Sequence, residues 1–461
     1  MKEVTRRFFL LAGFLLLVGC GPHYYKSTCA VDCGTTCSAS SVETAISAAS
    51  HGDTVIIPNG SCTWTGGVRT SKQLKITGQT KGSVIITHGA GSETLFTITT
   101  GSRYNTEISN INFMPGSATG NYMTIYGAGK PPLIHDNYFR VPDWQLANAI
   151  HYGRYSGGVI YVNTFESLTT RGVGGSSGAG SGCLVIKDME HSASWSWSSA
   201  STMGADDTTG LNNIYIEGNT FNNIYLQAID CDDNSRVVIR QNTFNDSGFD
   251  AHGADTSMYG MRHIEVYNNL FVFHPSGTGF GGVIHYPLNL NWWLFLRGGT
   301  GIFANNVIQD ITSAVWGPKS ELTFVVQNLR RDSGPNACCN AYPCLHQIGR
   351  GQNNTLEPFY IWGNAGTGTQ TPFLADYGCN DPHTSCQDAG CASRLTANFV
   401  VAGRDYYVGT AKPGWTRYTC PHPLAGSGTC SGTGSTGYVL TGGPDGTAPD
   451  VNSQSRSLPR R

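Results

Sequence analysis

The chain has 461 residues, of which 13% are charged, with 29 Lys and Arg against 31 Asp and Glu. That balance sets up no broad basic or acidic field, which argues against a nucleic-acid partner. Its 59 glycines are scattered among Asn, Ser and Thr without a collagen period, and the Val, Ile, Tyr and Phe segments between them read as many short strands.

At the N-terminus, Lys2, Arg6 and Arg7 precede an apolar run from Phe8 to Val18, too short for a comfortable membrane span. The run ends in Leu17-Val18-Gly19-Cys20, which resembles a bacterial lipobox, and Thr5-Arg6-Arg7-Phe8-Phe9-Leu10 resembles a twin-arginine signal. These resemblances imply export, lipidation at Cys20, and a protein held at the bacterial cell envelope by a lipid anchor alone. The alternative is a cleaved signal and an extracellular protein. Setting Cys20 aside from the 15 cysteines leaves an even number, which fits disulfides in an oxidising compartment. Cys29, Cys33 and Cys37 lack the C-x-x-C knuckle of a structural zinc site.

Ser40 and Glu43 have capping-box spacing and predict a short helix with Val42, Ile46 and Ala49 on one face. Gly52 to Gly60 then reads as a turn and a first strand. Beyond it, strand-like segments ending in Asn-x-aromatic recur: Asn137-Tyr138-Phe139, Asn163-Thr164-Phe165, Asn219-Thr220-Phe221, Asn242-Thr243-Phe244 and Asn269-Leu270-Phe271. A weaker copy ends at Ile308, and Phe113 leads the series with Ile111 in the asparagine slot. A coil of this length, β-rich and without helical periodicity, suits a parallel solenoid. The repeated Asn is expected to take the left-handed bend between strands and to stack amides from rung to rung, with the Phe pointing inward. The interval from Phe165 to Phe221 reads as two coils plus an insertion.

These residues resemble the right-handed parallel β-helix proteins of the pectate-lyase-like superfamily. The resemblance implies an all-β solenoid over residues 38–330, with the short N-terminal helix covering one open end. Ahead of it stand a signal segment, 1–20, and a Cys-containing segment, 21–37. A disulfide-rich C-terminal cap is expected over 331–430, with a flexible tail over 431–461.

With the terminal Phe as a ruler, Asp230, Asp232 and Asp233 fall 9, 11 and 12 residues after Phe221, and His252 and Asp255 fall 8 and 11 after Phe244. Equal offsets stack one rung apart, so Asp232 is expected beside Asp255, with His252 near. Clustered carboxylates need a cation, a shared proton or water. Asp230, Asp232 and Asp233 are therefore the candidate metal ligands, with calcium as the ion. The resemblance implies a polysaccharide lyase that β-eliminates a uronic-acid chain, neutralising the substrate carboxylate before a base takes the C5 proton. His252, Arg262 and Asp255 are the catalytic candidates; His263 is a further candidate base, with Arg236 and Arg240 as weaker ones. His151, Arg154, Trp292 and Trp293 are candidates for gripping the sugar chain. A glycoside hydrolase using paired Asp, and a non-catalytic glycan-binding surface protein, are the competing readings. A monomer acting on a polysaccharide is expected.

Overall fold

In the computed structural model, the described residues run from 31 to 426, omitting 33–35, 128, 141–147, 154–156, 168–183, 187–206, 223, 225–227, 246, 254–259, 274–293, 311–321, 327–341, 367–370 and 376–394. The strands form three all-parallel sheets, of 12, 10 and 10 strands, in which each strand pairs with its equivalent in the preceding and following coil. In every coil the chain passes from a first-sheet strand through a tight bend to a second-sheet strand, then to a third-sheet strand. One such coil is Leu133–His135, Tyr138–Arg140 and Ile150–Tyr152. The protein is a parallel β-helix.

The helix Ala39–Ala48 turns Val42, Ala45 and Ile46 inward. Its cap is Ser38, whose hydroxyl accepts from the Ser41 N–H, so the start lies two residues before the expected Ser40 box. At the other end the Lys72 ammonium donates to the carbonyls of Ile46, Ser47 and Ala49, satisfying orphan acceptors. A disulfide joins Cys37 to Cys62 across this end, and Cys344 and Cys420 are also disulfide-bonded. Cys231 instead keeps a free thiol. It occupies an inward strand position, where burial and then the charges of Asp230, Asp250 and Asp232 push its pKa well up.

The repeat has the physical basis its spacing suggested. Asn137, Asn163, Asn219, Asn242, Asn269, Asn306 and Asn364 form a continuous amide ladder. Each side-chain oxygen accepts from the previous rung, and Ile111 joins by donating its backbone N–H to Asn137. The left-handed residue, however, is the one before the ladder position: Asn110, Asp136, Val162, Gly218, Gln241, Asn268, Asn305 and Gly363. The ladder amide is thereby freed to point inward. Two residues on, Phe113, Phe139, Phe165, Phe221, Phe244 and Phe271 stack with centroids 4.7–4.9 Å apart. Each such contact is worth about 0.5–1.5 kcal/mol beyond its buried area.

The structure corrects two readings of the spacing. Phe165 pairs directly with Phe221, so the long interval is a single coil carrying an excursion. The sheets also continue beyond residue 330, through Phe359–Trp362, Ala365–Gly366, Phe373–Leu374 and Tyr406–Val408.

The closing segment lies against the outside of the first sheet, where Tyr418, Ala425, Trp415 and Leu424 cover Val159, Tyr215, Val238, Tyr267 and Ile302. Arg240 anchors this strap. Its guanidinium pairs with Glu217 at 2.7 Å and donates to the Tyr267 hydroxyl and to the carbonyls of Tyr418 and Thr419. Glu217 also accepts from the His422 N–H at 3.0 Å. Arg240 is therefore a fastening, not the base that its strand position once suggested.

Candidate functional site

Third-sheet strands alternate in the ordinary way, and the site is built from that alternation. Ile229 and Cys231 point inward, as do Phe249 and Ala251, and as do Leu294 and Leu296. Asp230, Asp250 and Phe295, the residues between, share one outward column. One residue after each strand, Asp232, His252 and Arg297 continue the register as a second column. The backbone agrees: His252 N–H donates to the Cys231 carbonyl and Arg297 N–H to that of Ala251.

Four side chains meet where these columns adjoin. His252 Nε2 lies 3.1 Å from Asp230 Oδ1 and 3.7 Å from Asp250 Oδ2. Arg297 grips Asp250 with both arms of its fork, Nε to Oδ1 at 3.1 Å and a terminal nitrogen to Oδ2 at 2.6 Å. Such bidentate pairing fixes the plane of both groups. Asp230 and Asp250 are buried, while the His252 side chain keeps 16% of its surface exposed, the most of the four. Burial and then Arg297 pull the His252 pKa down, but Asp230, Asp250 and Asp232 together outweigh them and hold it well above its ordinary value. The surrounding carboxylates thus favour the imidazolium over the neutral ring.

The expected offsets fail by a specific amount. Six residues, 223–228, separate the second and third strands in the Asp230 coil, whereas three, 246–248, do so in the next. The ruler therefore slips by three, Asp230 stands opposite Asp250, and Asp232 is followed in register by His252. Asp233 lies at a turn, with φ 40° followed by 60° at Asn234, and its N–H donates to Asp232 Oδ1. Asp255, Arg154, Trp292, Trp293 and Cys20 lie outside the described residues.

The remaining candidates occupy other places. His151 sits in the Asp230 column two rungs earlier, with Val185 between them. Arg262 is wholly buried where the chain enters the first sheet, its N–H donating to the Ser235 carbonyl. There its charge helps burial push His346 down to about 3, and it acts on Glu357. His263 is buried, 2.7 Å from the Thr300 hydroxyl and 3.3 Å from Glu265, and burial pushes it down to about 4. Glu265 in turn accepts from the Trp415 indole N–H of the strap. Arg236 donates to the Asn212 carbonyl.

Sequence reasoning places Asp250 near the Asp230 cluster but gives it no role, and it misses Arg297 as a member of the site. A usable signal was present: Phe249-Asp250-Ala251-His252-Gly253 and Leu294-Phe295-Leu296-Arg297-Gly298 share an apolar-x-apolar-polar-Gly pattern. Aligning that pattern, instead of counting from Phe, brings His252 and Arg297 together.

Asp230, Asp250 and His252 offer ligand atoms within 4.8 Å of one another, a grouping that suggests a metal. Calcium, however, takes about six to eight oxygens. Here one donor is an imidazole nitrogen, and Asp250 has both oxygens on a guanidinium. Among the described residues the cluster holds cationic groups of its own, and its donor set does not fit calcium.

No family model and no curated protein matches this sequence. Among solved structures, the chain is similar to an alginate lyase from Paenibacillus sp., at 13% identity over 62% of this chain and 96% of that one, with a TM-score of 0.37. It is similar also to a PL6 family polysaccharide lyase from Pseudopedobacter saltans, at 12% identity over 82% and 93%, TM-score 0.35. A mannuronan C-5 epimerase A-module from Azotobacter vinelandii aligns at 12% identity over 75% and 94%, TM-score 0.24. The β-helix assignment itself rests on the strand register described above.

Proposed function

We propose that the outer face of the third sheet is the active site of a lyase that cleaves an acidic polysaccharide by β-elimination. One observation carries the reading: a proton-transfer group, His252, stands beside a carboxylate-locked guanidinium, Arg297, on a long lateral sheet face. A uronate C5 proton becomes acidic when the neighbouring carboxylate is neutralised, and Arg297 is the cation held ready for that carboxylate. His252, once neutral, takes the C5 proton. The C5–H electron pair forms the C4=C5 double bond, the C4–O bond breaks, and the departing oxygen takes a proton from the imidazolium or from water. Asp230 orients the ring and favours its charged form, while Asp250 fixes Arg297. No step needs calcium.

Hydrolysis fits less well. Asp250 is committed at both oxygens to Arg297, which makes it a poor nucleophile or base for paired-carboxylate chemistry.

The test is incubation of the protein with pectate, alginate and glycosaminoglycans, with and without chelator, following near-UV absorbance of unsaturated ends. Reducing ends without that absorbance would mean hydrolysis, and neither signal across the panel would mean binding alone. The lipobox-like N-terminus adds a location, a lipid anchor on Cys20 in a bacterial envelope. Incorporation of labelled fatty acid that survives Cys20→Ala would overturn the anchor.

A further inference from the structure

The column that carries His252 holds an aromatic ring several rungs earlier. Tyr126 closes the strand Met123–Tyr126, pairs with Thr99 on one side, and is 39% exposed, an unusual degree for so large a side chain. On its other side stands Gly153, whose preceding rung contact is the Gly153 N–H to the Ile125 carbonyl. A Cβ at position 153 would come within 3.0 and 3.1 Å of Tyr126 Cε1 and Cδ1. The absence of a side chain there therefore leaves room for the ring to lean over the next rung. In the adjoining column Thr97 and His151 are partly exposed, with Thr124 buried between them. Polar edges beside an exposed ring face are what a pyranose needs, since its apolar C–H face stacks and its hydroxyls hydrogen-bond.

The register fixes the distance. From Met123–Tyr126 the third sheet passes through Ile150–Tyr152, Leu184–Ile186 and Ile229–Cys231 to Phe249–Ala251, which His252 follows, so His252 is four rungs away. At roughly 4.8 Å per rung this is about 19 Å, a span of several sugar units. We propose that Tyr126, leaning over Gly153, forms a distal sugar-stacking subsite that makes the enzyme prefer long chains over short ones. The inference rests on the lyase reading for its reaction centre. Remote contacts of this kind supply binding energy to substrates long enough to reach them and nothing to shorter ones.

Tyr126→Ala is compared with wild type on a purified oligouronate ladder and on polymer. KM for the polymer and the longest oligomers should rise about 5- to 30-fold, as expected for loss of one stacked ring worth about 1–2 kcal/mol. Trimer kinetics and kcat should stay unchanged. Tyr126→Phe, which keeps the ring, should retain the long-chain preference, and Gly153→Ala, which crowds the ring, should weaken it. Equal chain-length dependence in Tyr126→Ala and wild type would overturn the subsite and leave the lyase reading intact. If wild type eliminates none of the polymers, the lyase reading fails instead. Retardation of both proteins in polysaccharide-containing native gels then decides the subsite, with unchanged retardation of Tyr126→Ala overturning it.

Discussion

Two faces of the same solenoid bury ion pairs and use them differently. On the first sheet, Arg240 and Glu217 are met from above by strap carbonyls and the His422 N–H, so the charges are enclosed by donors and acceptors of matching geometry. On the third sheet, Asp230, Asp232 and Asp250 act together on His252, and Asp250 clamps Arg297. The first arrangement holds a segment down. The second favours a proton on a partly exposed imidazole, where a neighbour's charge can still change the balance. Burial of charge by itself therefore does not mark a site; the surplus of one sign around a titratable, reachable group does.

The largest effect expected from breaking this contrast is catalytic. His252→Ala should lower kcat by about 10²- to 10⁴-fold while shifting the denaturation midpoint little. A rate within threefold of wild type would remove His252 from the chemistry. The opposite behaviour is expected at the strap. Arg240→Ala leaves Glu217 buried without its cation and should cost about 3–5 kcal/mol in urea unfolding; a loss below 1 kcal/mol would show that the strap does not depend on it.

Acid should act on the strap side as well. His263 is held down at about 4 by burial, so between its unfolded value and that point the unfolded chain binds the extra proton. Stability from His263 is then fully present above about pH 6.5 and is lost as pH falls toward 4, by about 3 kcal/mol. His263→Gln should flatten that slope in unfolding measured across the range, and an unchanged slope would place the acid sensitivity elsewhere. The smallest effect lies in the bends. Val162 adopts φ 54°, a left-handed conformation costly for a β-branched residue, and it is exposed. Val162→Asn should raise stability by about 1 kcal/mol, read as a higher midpoint, and a lower one would count against backbone strain there.

The fold was largely legible because its determinants are local and periodic. The asparagine slot, the inward Phe two residues on and the Ile111 variant all follow from sequence spacing, and the ladder and stack realise them. The site was half legible. Asp230 and His252 could be picked out as polar residues in a β-rich coil, but their alignment depended on a turn that is three residues shorter in one coil than in the next. Second-to-third-strand turns vary freely because they lie outside the ladder, so the ruler loses phase there. The strap contacts were not legible at all, since Arg240 meets Tyr418 across 178 residues and no repeat announces such a pairing.

That long-range contact changes how the molecule can be completed. In a plain solenoid each coil answers only to its neighbours, and the middle is finished once the adjoining rungs are in place. Here the central rungs wait for residues made far later. A chain released before Tyr418 would hold Arg240 and Glu217 on an apolar face with no lid, exposing a sticky surface. The strap thus makes the middle of the solenoid depend on residues 415–425, which cover its apolar outer face.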